Sequence, residues 1–64
     1  MSVEPVTAAE AARRLNKRVG TIRSWASRYD VRRVGTVGRV VYFDYHDLAK
    51  IERQIRRGLP VDER

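Results

Sequence analysis

The 64-residue sequence contains no cysteine and only one histidine. Disulfides and thiolate metal sites are therefore excluded, and a lone His46 gives a metal centre no support. Long apolar runs are also missing. Nothing approaches the roughly 18 residues of a membrane span, and the opening MSVEPVTAAEAARR has neither the basic start nor the apolar core of a secretory signal. A soluble, cytoplasmic protein is expected, in the host cytoplasm or nucleoid if phage-encoded. No nucleophile–base pair stands out, and helix capping accounts for the close carboxylates Asp44 and Asp47, so neither an enzyme nor a cofactor is expected. A chain this short buries only about 60% of its unfolded surface. That implies one domain over residues 1–64, with an ordered core near 6–59.

Basic residues, by contrast, are abundant. The formal net charge is +6 and the pI about 10.8. Between Arg13 and Arg39 lie nine basic residues against Asp30 alone, a local +8, so the remainder is net acidic. A basic field concentrated in this way is the footprint of a nucleic-acid binder.

Periodicity divides the chain. Met1 to Pro5 reads as a frayed lead-in. Thr7 and Glu10 form a capping box for a helix over Ala8 to Leu15, with Ala9, Ala12 and Leu15 available to the core. Asn16-Lys17-Arg18 is a tight connection, Asn being tolerant of left-handed backbone. In the second helix Val19, Ile22, Trp25 and Ala26 form one apolar stripe. Its spacing makes Trp25 a core residue rather than a base-stacking one. Arg18, Thr21, Arg23, Ser24, Ser27 and Arg28 fall on the remaining surface as donors suited to phosphates and base edges. Arg23 is expected to fork onto guanine and Arg28 to grip phosphate. Gly20 lowers helix propensity in the first turn, where close approach of DNA would explain it.

From Val31 to Asp44 the β-branched, glycine-punctuated run predicts a hairpin, with strands near Arg32–Thr36 and Arg39–Phe43 and a turn around Val37-Gly38. Val41 and Phe43 are expected to face inward, and Tyr42 and Tyr45 to pack where hairpin meets helix. Asp44 then caps a third helix, with Asp47 at its third position and Phe43 and Leu48 placed as a hydrophobic staple. Leu48, Ile51 and Ile55 mark its buried stripe. His46, Lys50, Glu52, Arg53, Gln54 and Arg56 should be solvated. Gly58 and Pro60 form a stop signal, after which Leu59 can fold back and 61–64 forms a loose tail.

This order predicts a mainly α fold with a small β-hairpin: a winged helix-turn-helix with a two-stranded wing and a C-terminal helix. The runs Val6-Thr7-Ala8-Ala9-Glu10-Ala11-Ala12, Thr21-Ile22-Arg23-Ser24-Trp25, Val37-Gly38-Arg39 and Phe43-Asp44-Tyr45-His46-Asp47-Leu48 together resemble the MerR-like family of small DNA-binding domains, which includes phage excisionases (recombination directionality factors). The resemblance covers roughly Val6 to Ile55. It implies that the second helix enters the major groove and that the wing touches the backbone or an adjacent minor groove. The implied base-reading residues are Arg18, Gly20, Thr21, Arg23 and Ser24, with Lys17, Ser27 and Arg28 completing the recognition-helix set. Wing contacts would come from Thr36 and Arg39, supported by Arg32 and Arg33. Two positions depart from the family: Lys17 stands where the turn usually carries an apolar residue, and Arg18 where a hydroxyl cap is usual.

MerR regulators continue into a coiled coil and an effector domain. The sequence reaches Arg64 without either, which favours a stand-alone architectural binder. The expected function is sequence-specific binding of double-stranded DNA, as an excisionase whose copies bind tandem sites cooperatively, bend the DNA and direct an integrase partner toward excision. The alternatives are a small MerR-like transcriptional regulator, a terminase-type packaging subunit or, from a different class, a basic protein-interaction module docking an acidic partner.

Overall fold

Three helices accompany a three-stranded antiparallel sheet of order β1-β3-β2 in the computed structural model, which describes residues 3–58. In chain order the elements are β1 (Pro5–Val6), α1 (Ala8–Leu15), α2 (Val19–Arg28), β2 (Arg33–Val37), β3 (Val40–Asp44) and α3 (Tyr45–Arg56). The architecture is thus mixed α/β, with one strand more than the hairpin alone supplies.

The extra strand comes from the lead-in. Pro5 and Val6 pair with Asp44 and Phe43, and the Tyr45 N–H donates to the Glu4 carbonyl at 2.9 Å. Glu4 also pairs with the Arg14 guanidinium, which lies 3.8 Å over the Tyr45 ring. That hydrogen bond is the main reason the Arg14 pKa is raised. The segment from Glu4 onward is therefore held at three points rather than frayed.

Local signals place α1 as anticipated. The Thr7 hydroxyl accepts from the Glu10 N–H and the Glu10 carboxylate accepts from the Thr7 N–H, both at 3.1 Å. Asn16 ends the helix in left-handed backbone, φ 56°, and the Lys17 N–H reaches the Ala12 carbonyl at 2.8 Å. The buried face differs from expectation: Ala8, Ala11 and Ala12 are inside, Ala9 is exposed and Leu15 is only partly covered. Four alanines in five residues carry no strong period of their own, so tertiary packing selects the face.

Asp30 repeats the device after α2, with φ 50° and the Val31 N–H bonded to the Ala26 carbonyl at 3.1 Å. Val31 turns inward at 4% exposure and joins Val6, Ile22, Phe43, Leu48 and Ile51 in the core. Trp25, Ala26 and Tyr29 pack against that core, whereas Val19 is 37% exposed. Ile22, fully buried, is the centre of the α2 stripe.

The two long strands lie slightly later than anticipated. Their turn is Gly38-Arg39, with Gly38 at φ +60°, the backbone that a two-residue hairpin turn reserves for glycine. An irregularity between Arg33 and Gly35 inserts Val34 opposite a single partner residue, which adds twist. Phe43 is buried and Val41 partly so, on the inner face as expected.

Asp44 caps α3 by accepting the His46 N–H at 3.1 Å, and Phe43 and Leu48 both sit in the core as a staple. Asp47 does something other than closing a capping box. Its carboxylate accepts the Arg32 N–H at 3.3 Å, while the Arg32 carbonyl accepts the Asp44 N–H at 3.1 Å. Both sides of residue 32 are thereby tied to the start of α3. Ile55 is 41% exposed rather than buried, because α3 runs past the edge of the core. Glu52 is half-buried and pairs with Arg56 at 3.5 Å, and Gln54 is also partly covered, so these two are less solvated than expected. Gly58, at φ +71°, ends the described chain in left-handed backbone. Pro60, Leu59 and the anticipated tail lie outside the described residues.

Candidate nucleic-acid interface

Two exposed elements carry the candidate residues, the outer face of α2 and the β2–β3 ribbon. At about 100° per residue, burial of Ile22, Trp25, Ala26 and Tyr29 turns Gly20, Ser24 and Ser27 to the middle of the outer face, with Arg23 and Arg28 on its two flanks. Lys17 and Arg18 precede the helix and are exposed, as are Gly20, Arg23, Ser24, Ser27 and Arg28; Thr21 is half-buried at the margin. On the ribbon Arg32, Arg33, Thr36 and Arg39 are all exposed.

Arg18 starts α2 with extended backbone and no side-chain cap, leaving the first N–H groups of the helix without the hydroxyl that usually serves them. Gly20 has no structural requirement of its own. Its φ is not in the left-handed region, and a Cβ built there meets nothing within 4 Å. The missing side chain therefore leaves open space on the outer face.

Charge is distributed unevenly over the molecule. The Arg14–Glu4 and Arg56–Glu52 ion pairs are made by residues outside α2 and the β2–β3 ribbon. Glu10, Asp44 and Asp47 are likewise engaged in caps and the wing clamp. These carboxylates serve the fold, whereas Asp30 just after α2 is exposed, as are the cations of α2 and the ribbon, Arg28 lying 5.6 Å over the Tyr29 ring.

A concavity of about 400 Å³ is bounded by the start of α1, by α2 and by β3 with the turn before it. Arg23 of α2 and Arg39 of the wing turn both line it, together with Thr7, Ala8 and Ala9 at the start of α1 and Val40, Val41 and Phe43 of β3. The structure thus joins two candidate residues sixteen positions apart in sequence, a juxtaposition no local pattern announces. Arg28 lies on the other flank of the helix. Asp47 and Val31 are the residues that sequence reasoning missed or misassigned; Asp47 accepts the Arg32 N–H just before β2, and Val31 joins the core between α2 and β2. Among the described residues no helix is long and apolar enough to cross a membrane. Comparison with protein-family models, curated proteins and solved structures finds no match for the chain.

Proposed function

We propose that the protein is a sequence-specific double-stranded DNA-binding module of the winged helix-turn-helix kind, with α2 as the recognition helix and the β2–β3 ribbon as the wing. The observation that carries this reading is the lining of one concavity by both Arg23 of α2 and Arg39 of the β2–β3 turn, with Lys17, Arg18, Arg28, Arg32 and Arg33 exposed on or beside the same two elements. Donors at the centre of the α2 outer face, flanked by guanidiniums, suit base edges bordered by phosphates. One module of this size buries about 600–1,000 Å² of its own surface on DNA, so tandem copies supply the remaining affinity. Within this class an excisionase that bends DNA and biases an integrase is the favoured role, on the likeness of the sequence to MerR-like excisionases. A transcriptional regulator or a packaging subunit would use the same surface.

Titration of a duplex across a salt series tests the reading, with polyglutamate as competitor. The logarithm of affinity should fall linearly with log salt, by about 0.9 per phosphate neutralised, and polyglutamate at equal charge should displace little protein. Equal binding of the two polyanions would instead favour a basic module that docks acidic proteins. Energy transfer between the duplex ends, measured on tandem sites, tests bending.

A further inference from the structure

We infer that the trough between α2 and the wing seats a single sugar–phosphate strand, with Arg23 and Arg39 holding one and the same phosphate. This rests on the DNA-binding reading and assigns Arg23 a different task from reading guanine.

Three observations lead there. First, Arg23 and Arg39 come from different elements yet line one concavity of about 400 Å³. Two arginines lining one recess fit a shared anion, since each guanidinium offers a planar fork that matches phosphate oxygens. Second, the rest of the lining is poor in free hydrogen-bonding groups. Ala8, Ala9, Val40, Val41 and Phe43 contribute apolar surface, and the Thr7 hydroxyl, which accepts from the Glu10 N–H, keeps its O–H to donate to a phosphate oxygen. Such a lining suits the carbon face of a deoxyribose and offers little to a base edge. Third, Arg23 lies on the flank of α2 toward the trough, whereas Gly20, Ser24 and Ser27 hold the centre of the outer face. Base contacts then fall to those small residues, which let the helix backbone approach the groove closely. Arg23 and Arg28 bracket them on the two flanks.

The test is a scan of single methylphosphonate substitutions along both strands of an enriched duplex. It is read with the wild-type protein and with Arg23→Ala, Arg39→Ala and the double variant, each checked for folding by circular dichroism. Both arginines are exposed, and the wild-type arm needs no variant to fold. One position should stand out, where neutralising the phosphate weakens wild type about tenfold, the loss of a charge-assisted contact. On that modified duplex, Arg23→Ala and Arg39→Ala should have no further effect. On unmodified DNA the double variant should lower the salt slope by about 0.9, the value for one phosphate, rather than about 1.8 for two. Arg23→Ala should also weaken enriched and scrambled duplexes by the same factor. Two separate phosphates, or an Arg23→Ala loss confined to the enriched sequence, would overturn the shared seat while leaving DNA binding intact. A wild-type protein that fails to prefer duplex over polyglutamate would remove the DNA reading and the seat with it.

Discussion

Gly20 has neither a backbone angle nor a neighbour that requires it. Within the isolated protein it only costs helix propensity, so Gly20→Ala should raise stability by about 0.5–1 kcal/mol, measured by urea denaturation. The same methyl group would project from the middle of the proposed DNA-facing surface. We therefore expect the more stable variant to bind duplex more weakly, and a variant that gained stability and kept full affinity would show that α2 is not approached closely at this point. Ile22 is the opposite case. It is fully buried in a domain with few large core side chains. Ile22→Ala should cost about 2–5 kcal/mol, a large share of the 5–15 kcal/mol typical of whole domains. Loss of the cooperative transition near room temperature is the expected result.

The start of α3 acts as a junction. Its first residues bond to the Glu4 carbonyl on one side and to both backbone groups of Arg32 on the other, so one helical turn fixes β1 and the base of the wing together. Asp47→Ala removes the carboxylate acceptor and should cost about 0.5–1.5 kcal/mol. Asp47→Asn keeps a carbonyl acceptor and should lose less. Amide hydrogen exchange would separate the two: wing amides should lose protection relative to α1 in the alanine variant, and unchanged wing protection would mean the clamp does not order the ribbon.

The elements also divide by how much of them local sequence encodes. The box of Thr7 and Glu10, the left-handed Asn16, the Asp44 cap and the inward Val41 and Phe43 all follow from spacing over a few residues, and each appears in the fold. What escaped is non-local. The two-residue β1 exists only because β3 offers it a partner, the exposed Ile55 reflects where the core ends, and Asp47 finds its donor fifteen residues away. The concavity shared by Arg23 and Arg39 is of the same kind, since it exists only where α1, α2 and β3 come together.

Taken whole, the molecule separates structural charge from surface charge. Glu10 and Asp44 cap helices and Asp47 bonds to the base of the β2–β3 ribbon, while cations are exposed on α1, α2, the ribbon and α3. At +6, free copies repel one another in solution. On DNA that repulsion is offset by the phosphates, so association should depend on the duplex: monomer by sedimentation at physiological salt, and adjacent occupancy when tandem sites are supplied. A stable dimer without DNA would contradict this.

The central claim is sequence-specific recognition through α2 and the wing. Selection of bound duplexes from a random pool tests it most directly, followed by titration of the enriched site against scrambled DNA at physiological salt, where non-specific binding falls to roughly 10⁻⁴–10⁻⁶ M. The account predicts a short enriched motif, repeated in direct tandem, bound cooperatively and at least about a thousandfold more tightly than the scrambled duplex. A pool that emerges with no enriched sequence would contradict it.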